Sequence, residues 1–282
     1  MRRDVQLLLG AHVGIGGGFD NAVKSGLSIN ADVIQIFTRN QMQWKAKPIP
    51  SEDAERFRAA YAESGLKGIV AHGSYLINLA SPEDKHRRTS VNAAVDEMTR
   101  CSQLGVQTYI FHPGSHVGSG DEKGENMEVK SIREVLRLTE GFEVSMALET
   151  MAGQGNVICW TFESAAHVLD AVDSSRLGIC MDSCHIFAAG YDIRDVKRLK
   201  ATMKKFSDTI GYERLFAVHL NDSKADLGRR VDRHENIGKG KIGVEGFRGL
   251  MHTSRLSGVP MILETPGGES AYRRELRTLR KL

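Results

Sequence analysis

Residues 67–112, KGIVAHGSYLINLASPEDKHRRTSVNAAVDEMTRCSQLGVQTYIFH, contain the repeating unit that predicts the fold. Within this stretch, two short apolar runs at 67–72 and 107–112 lack an alternation of polar and apolar residues at their centres. Such runs are typical of strands buried on both faces, as in a parallel sheet. A helical pattern at 89–105 separates them, so the segment predicts a strand–helix–strand unit whose strands both end in histidine.

Runs of the same character recur along the whole chain. They lie at 6–12, 32–38, 67–72, 107–112, 143–149, 177–182, 214–220 and 260–265. Helical patterns lie at 52–65, 89–105, 129–141, 163–172, 194–211, 245–258 and 269–282. This alternation predicts an α/β protein, a single TIM-type (β/α)8 barrel with its active site at the C-terminal strand ends. We expect residues 1–282 to form one catalytic domain, because no linker or low-complexity tract favours the alternative of two doubly wound sheets.

The composition is that of an ordinary globular protein. Of 282 residues, 41% are apolar and 26% are charged, which supports a sizeable core and excludes disordered, collagen-like and disulfide-scaffold classes. The net charge of +3 permits a nucleic-acid partner without requiring one. The four cysteines form no CxxC pair, so we expect reduced thiols. The opening MRRDVQLLLGAHVG lacks a signal cleavage site, and no run spans a bilayer, so we expect a cytoplasmic protein without membrane contact.

The polar residues that end the predicted strands carry the chemistry. They are His12, Thr38, His72, His112, Glu149, Asp182, His219 and Glu264. In a barrel these ends form one ring. A single histidine or glutamate there is more often a satisfied polar group or a helix cap, but seven of the eight are histidine or carboxylate. Converging buried carboxylates need a compensating cation, and histidine with aspartate or glutamate is the ligand set of zinc and related metals.

Two local motifs add candidate ligands. They are Asp182-Ser-Cys-His185 after the sixth strand, and Asp232-Arg-His234, whose side chains lie on one face if the segment is extended. The full set is His72, His112, Glu149, Asp182, His185, His219, Asp232, His234 and Glu264. This number of ligands suits two or three ions. Three divalent ions and the four carboxylates together would carry a net charge of about +2, which favours binding of a phosphate diester.

At these residues the sequence resembles the endonuclease IV family of apurinic/apyrimidinic endonucleases. The resemblance covers nearly the whole chain. The matching segments are GAHVGIGGG (10–18), FTRNQMQW (37–44), HGSYLINLA (72–80), FHPGSHVG (111–118), LETMAGQGN (148–156), MDSCHIFAAGYD (181–192), HLNDSK (219–224), RVDRHENIGKGKIG (230–243) and ILETP (262–266). Relatives often have a basic residue in place of Met42 and aspartate in place of Gly73.

The resemblance implies a barrel with three Zn²⁺ per chain, with Mn²⁺ as an alternative at one site. The first ion would be held by His72, His112 and Glu149; the second by Glu149, Asp182, His219 and Glu264; the third by His185, Asp232 and His234. The implied reaction is hydrolysis of the phosphodiester 5′ to an abasic site, leaving a 3′-hydroxyl and a 5′-deoxyribose phosphate, together with trimming of blocked 3′ ends. Glu149 is the expected catalytic residue, and the expected partner is double-stranded DNA bound by a monomer.

DNA contacts are expected from the loops that follow the strands. The candidates are Arg39, Asn40, Gln41, Met42, Tyr75, Leu76, His116, Lys224, Arg230 and Arg233. Tyr75 or Met42 would fill the gap that an abasic nucleotide leaves in the duplex. The alternative is that the aromatic and apolar residues pack the loops, that the cations are solvated, and that His116 is a surface loop histidine.

Two other functions remain as alternatives. A metal-dependent sugar isomerase uses the same barrel, but it normally needs two ions and no equivalent of the Asp232/His234 pair. A non-catalytic damage-binding protein with structural zinc would be expected to use cysteine ligands, and none of the nine candidates is cysteine. The glycine-rich segment 14–18 resembles a dinucleotide fingerprint, but no acidic residue ends the second strand.

Overall fold

A computed structural model describes residues 6–282, and all eight predicted strands are present in it. The barrel strands are β1 (Leu8–His12), β2 (Val33–Phe37), β3 (Gly68–His72), β4 (Thr108–Phe111), β5 (Ser145–Glu149), β6 (Leu177–Asp182), β7 (Leu215–His219) and β10 (Pro260–Leu263). They pair in parallel in the order β1-β10-β7-β6-β5-β4-β3-β2 and close on themselves. The predicted barrel is confirmed. Residues 1–5, which enter the signal-peptide argument, lie outside the described residues.

The helices surround the barrel, and a short antiparallel hairpin, β8 (Asp222–Ser223) with β9 (His234–Glu235), lies between β7 and β10. The helices are α1 (Phe19–Ser28), α2 (Ser51–Ser64), α3 (Asp84–Leu104), α4 (Asp121–Leu138), α5 (Phe162–Val172), α6 (Ser183–Ala189), α7 (Val196–Thr209), α8 (Val244–Met251) and α9 (Gly268–Leu279). The helical patterns identified in the sequence did not include α1 or α6. They placed the starts of α3 and α4 too late, because both helices open with polar turns that carry no apolar periodicity.

One residue from each strand contributes to an apolar layer inside the barrel. This interior cluster consists of Leu8, Val33, Val70, Ile110, Ala147, Cys180, Ala217 and Ile262. Side chains two residues apart in a strand share a face, so the polar residue two positions after each of the last six also faces inward. The apolar layer therefore supports a polar layer at the C-terminal ends of the strands.

On β2 the same spacing places Gln35, not Thr38, in the polar layer. Gln35 follows Val33 by two positions and hydrogen-bonds to side chains of other strand ends, whereas Thr38 lies out of phase. The choice of Thr38 as the polar end of the second strand is therefore corrected. Its hydroxyl is buried without a hydrogen-bond partner.

Two further expectations concern cysteines and membranes. All four cysteines are buried and free of disulfides. Within residues 6–282, none of the helices combines the length and the apolar character needed to cross a bilayer.

Candidate metal centre

The nine candidate ligands meet at the C-terminal end of the barrel. They form three groups, and within each group one ligand atom per residue lies within 4.8 Å of the others. The first group is His72, His112 and Glu149; the second is Glu149, Asp182, His219 and Glu264; the third is His185, Asp232 and His234. These are the sets that the resemblance implies. The arrangement is compatible with binding of several metal ions around a shared glutamate.

Glu149 lies at the centre of the groups with a side chain only 1% exposed. Its Oε2 is 3.1 Å from His72 Nε2 and 3.2 Å from His112 Nε2, while its Oε1 is 3.1 Å from His219 Nδ1 and 3.2 Å from His185 Nδ1. Burial by itself opposes the charge, but the imidazoles, His219 foremost, hold the pKa of Glu149 well below its usual range. The carboxylate of Glu149 is thus ionised, and each of its oxygens faces two imidazole rings.

Backbone carbonyls fix which nitrogen of two imidazoles can bind a metal. His72 Nδ1 is 2.8 Å from the carbonyl oxygen of Gly73, and His185 Nδ1 is 2.8 Å from that of Thr150. A carbonyl oxygen can only accept, so each Nδ1 carries the hydrogen. In the neutral ring, which is the form that binds a metal, each Nε2 has the lone pair and faces into the site, which is the usual arrangement around a metal-binding histidine.

The third group contains buried nitrogen atoms without partners. His185 Nε2 and His234 Nε2 are both buried and make no hydrogen bond, although they lie 3.2 Å and 3.4 Å from Asp232 Oδ1. Burying a polar atom without a partner is costly, so such atoms point to a missing ligand. Two imidazole nitrogens beside one carboxylate are suitable ligands for a divalent transition-metal ion. The residues present therefore fit a metal.

The electrostatics of the site favour cations. Burial opposes charge on Asp232 and Glu264, but neighbouring imidazoles, His185 for the first and His219 for the second, bring both pKa values to about 2. Burial would also lower the pKa of His185, yet Asp182 and its other facing carboxylates raise that pKa well above its usual value. These contacts therefore keep Asp232 and Glu264 ionised and stabilise positive charge on the groups that face them.

The start of α6 fixes Asp182. Its Oδ1 accepts the backbone N–H of His185 at 2.7 Å, so Asp182 caps the helix that carries His185. Its Oδ2 accepts from Asn221 Nδ2 at 2.7 Å and lies 3.7 Å from His234 Nε2. Helix α6, which the sequence patterns did not predict, thus sets the separation of the candidate ligands Asp182 and His185.

A buried carboxylate that sequence reasoning missed holds the loop carrying Asp232 and His234. Asp222 is fully buried, and its side chain accepts backbone N–H groups at 2.9 to 3.3 Å. The donors that follow the hairpin are Gly238, Gly240, Ile242 and Gly243. A Cβ on Gly240 would overlap Asp222 Oδ1, so glycine is required there. In the sequence, the spaced glycines of IGKGKIG (237–243) were the signal that could have identified this loop.

Cys184 also approaches the site. Its sulfur can lie within 4.8 Å of ligand atoms of Asp182 and His234, which makes a fourth possible group. Burial raises the pKa of the Cys184 thiol to about 12. Because metals bind the thiolate, this cysteine is a poorer ligand than the imidazoles beside it.

Several predicted DNA-contacting residues lie at the open end of the barrel. Met42 is 65% exposed and Tyr75 is 55% exposed. The Tyr75 ring stands 5.8 Å from the His72 ring and 5.7 Å from the His112 ring, directly beside the first group. Asn40, Lys224, Arg230 and Arg233 are also exposed, while Gln41 and Leu76 are half-buried.

Arg39 does not reach the surface, so the prediction that it contacts DNA is wrong for this conformation. Its side chain is 2% exposed, and its Nε donates to Glu97 Oε1 at 2.6 Å. Glu97 also accepts from the hydroxyl of Tyr109 and the backbone N–H of Ser74. Through Glu97, Arg39 therefore connects the loop after β2 to the loop after β3 in the interior of the protein.

Tyr109 accounts for the departure at position 73. A Cβ on Gly73 would lie 2.6 Å from the Tyr109 hydroxyl oxygen, so the tyrosine occupies the space of any side chain there. The same hydroxyl donates to Glu97 at 2.8 Å. Glycine at 73 and tyrosine at 109 are thus complementary choices in this protein.

His116 and Arg230 make contacts within the protein. His116 Nδ1 accepts the N–H of Gly120 at 2.9 Å, and its Nε2 lies 3.4 Å from Asp121, so it holds the turn before α4. These contacts favour the alternative that His116 is a loop histidine. The Arg230 guanidinium stacks on Trp160 at 3.9 Å from the ring centre.

Comparison with known proteins gives concordant results. The family model described as xylose isomerase-like TIM barrel matches residues 19–282. A probable endonuclease 4 of Chloroflexus aurantiacus is 45% identical over 276 residues, which is 97% of each chain. An apurinic-apyrimidinic endonuclease of Caenorhabditis elegans is 45% identical over 267 residues, covering 93% of this chain and 67% of that protein.

Solved structures show the same likeness. Endonuclease IV from Thermus thermophilus superposes with a TM-score of 0.87 at 31% identity, covering 98% of both chains. A D-tagatose 3-epimerase-like protein superposes with a TM-score of 0.74 at 18% identity over 96% of both chains, which indicates a shared fold alone.

Proposed function

The chain belongs to the endonuclease IV family of xylose isomerase-like TIM barrels, and on this basis we propose that it is a DNA-repair endonuclease acting in base excision repair. It hydrolyses the phosphodiester 5′ to abasic sites in double-stranded DNA, leaving a 3′-hydroxyl and a 5′-deoxyribose phosphate, and it also trims blocked 3′ ends. Residues 1–282 form the catalytic domain, and one chain supplies the whole site. The observation that carries this proposal is the open ring of three ligand groups, two of which share Glu149.

The proposed cofactor is three Zn²⁺ per chain, with Mn²⁺ as an alternative at one site. The first, second and third groups would each hold one ion, and their ligands are imidazoles and carboxylates without cysteine, as in catalytic rather than structural zinc sites. When bound, zinc supplies Lewis-acid neutralisation of phosphate oxygens and a lowered pKa for water.

The chain's own residues orient the reactants. Glu149, held between four imidazoles, directs the attacking water toward phosphorus. Tyr75 and Met42 project from the open end, where one of them fills the gap left by the abasic nucleotide. Extruding a nucleotide that lacks its base costs little stacking energy, which favours abasic over intact sites. The exposed cations Lys224, Arg230 and Arg233 bind phosphates on either side.

Elemental analysis of protein purified without added metal or chelator, combined with an incision assay on an abasic duplex, tests the proposal. We expect about three zinc ions per chain and incision 5′ to the lesion. The His234→Ala variant should lose about one ion, because the third group has only three protein ligands. The Glu149→Gln variant should lose incision while retaining abasic-DNA binding. About two ions without incision would instead favour a sugar isomerase or epimerase.

A further inference from the structure

Gln35 lies inside the barrel beneath the second group, although it belongs to none of the three groups. Its side chain is fully buried and bonds to three side chains from other strands. Nε2 is 2.9 Å from His12 Nδ1 and 2.6 Å from Glu264 Oε1, and Oε1 is 2.8 Å from His219 Nε2. Two of these neighbours, Glu264 and His219, are candidate ligands of the second ion.

Hydrogen-bond chemistry fixes the orientation of this amide. A carboxylate oxygen can only accept, so the group 2.6 Å from Glu264 must be the amide nitrogen of Gln35. The opposite orientation would bring two acceptor oxygens together in a buried place, which is unfavourable. It follows that Gln35 Oε1 faces His219 and accepts the hydrogen carried by His219 Nε2.

This bond decides which nitrogen of His219 can serve as a ligand. With hydrogen on Nε2, the lone pair of His219 is left at Nδ1, which lies 3.1 Å from Glu149 Oε1 and 3.3 Å from Glu264 Oε2. The ring is therefore turned the opposite way to His72 and His185, which direct Nε2 into the site. Those two rings are oriented by backbone carbonyls, whereas His219 depends on a side chain that can be replaced.

The same amide also orients Glu264. By donating to Oε1, Gln35 leaves Oε2 as the oxygen directed toward His219 Nδ1. Residues that hydrogen-bond to metal ligands in this way raise the affinity for the metal by holding the ligands in place. One amide thus constrains two of the four members of the second group.

We propose that Gln35 is the positioning residue of the second metal site, acting by fixing the ring of His219 and the carboxylate of Glu264. The inference rests on the proposed metal-dependent function. It adds β2 to the six barrel strands whose inward polar residues supply candidate ligands.

The test measures metal affinity rather than turnover. Wild type, Gln35→Met and Gln35→Glu are loaded with zinc and equilibrated against a series of chelators of known zinc affinity. Gln103→Met, at an exposed position on α3, is the control. We expect Gln35→Met to bind one ion about 10- to 100-fold more weakly, with the other two ions unchanged. Gln35→Glu can still accept from His219 but places a second carboxylate against Glu264, so its loss should be at least as large.

Thermal unfolding of the metal-free variants shows whether a loss of zinc affinity comes from poorer packing of the protein or from poorer positioning of the ligands. Methionine fills nearly the same volume as glutamine, so a residue that only packs would leave all zinc affinities at the wild-type value. That result would overturn the inference. Gln35→Glu keeps the length and polarity of the side chain and provides the test if the methionine variant does not fold. If wild type itself binds no metal or does not incise abasic DNA, the proposed function fails instead, which the wild-type measurement reveals directly.

Discussion

We propose that Tyr75 distinguishes abasic from intact DNA, because its ring is 55% exposed yet packs against His72 and His112. We expect Tyr75→Ala to lower the preference for abasic over intact duplex about tenfold, since aromatic contacts with bases are worth about 1–3 kcal/mol. The dependence of binding on salt concentration should stay unchanged, because no phosphate contact is lost. Fluorescence anisotropy on matched duplexes at several salt concentrations measures both quantities.

Lys224→Ala is the matched control for this experiment. Lys224 is exposed on the loop after β7, and a phosphate contact from it would affect both duplexes alike. We expect it to reduce the salt slope by about one without altering the preference. If Tyr75→Ala weakens binding to the abasic and intact duplexes equally, a role for Tyr75 in recognising the gap is excluded.

Glu128, in the middle of α4, is a buried carboxyl outside the site whose two oxygens have no hydrogen-bond partner. Burial raises its pKa well above the usual value, so it stays protonated in the folded protein. The unfolded chain releases this proton above pH ~4.3, so the free energy of unfolding falls by up to about 1.4 kcal/mol for each pH unit until the folded pKa is reached. We expect Glu128→Met to be more stable than wild type, with a gain that grows from pH 5 to pH 8.

Urea unfolding at several pH values checks this prediction. Glu122→Met is the control, because Glu122 lies exposed on the same helix. The control should change the stability little and equally at each pH. A Glu128→Met variant whose advantage is constant with pH would mean that the carboxyl is already ionised in the folded protein.

At single positions, the candidate ligands are easier to predict from the sequence than the residues that surround them. Six of the nine candidate ligands could be chosen because strand ends in a barrel converge whatever the details of packing. The other three, His185, Asp232 and His234, were chosen from two local motifs. Gln35 was overlooked because it stands inside an apolar run, and only the two-residue phase relative to Val33 shows that it faces inward. Arg39 was misjudged because its buried partner, Glu97, lies far along the chain, on a helix.

At the scale of elements, the loop from 224 to 243 depends on Asp222 rather than on regular structure. We expect Asp222→Asn to weaken the third ion about 10- to 100-fold, since the amide replaces an acceptor of several backbone N–H groups and the loop carries Asp232 and His234. Zinc competition and limited proteolysis of the loop measure the two effects.

Asp226→Asn provides the comparison for the loop. Asp226 is exposed on the same segment, and its only ion pair, among the described residues, is with Lys241 at 3.5 Å. That variant should keep both its zinc affinity and its resistance to protease. If the two variants behave alike, the loop does not depend on the buried carboxylate.

Strands were easier to predict than helices for a physical reason. A strand buried on both faces leaves a compact apolar run, as β3 and β4 do. A helix shows only one apolar face, so the polar first turns of α3 and α4 and the short α6 left no such signal. The α6 boundary depends on Asp182 as its N-cap, a residue already assigned as a ligand.

At the scale of the whole molecule, the barrel separates stability from chemistry. The interior cluster and the layer between strands and helices bury the apolar residues, while the polar layer occupies only one end. We therefore expect metal-free protein to keep its far-UV circular dichroism spectrum at 25 °C. It should unfold at a lower temperature, because an ion that binds only the folded state stabilises it by about 2.7 kcal/mol at 100 times its dissociation constant.

The pH dependence of that loss follows from the imidazoles. Burial opposes charge on His72 and His185, but facing carboxylates, Glu149 for the first and Asp182 for the second, raise both pKa values in the metal-free protein. A raised folded-state pKa contributes stability that is complete below the unfolded value of ~6.5 and is lost as the pH rises through the folded value. Metal-free protein should therefore lose stability more steeply than zinc-loaded protein as the pH rises above 6.5, because the imidazoles of zinc-loaded protein are neutral ligands. Thermal unfolding at several pH values, with chelator and then with zinc restored, measures the difference, and parallel curves would contradict metal binding by these histidines.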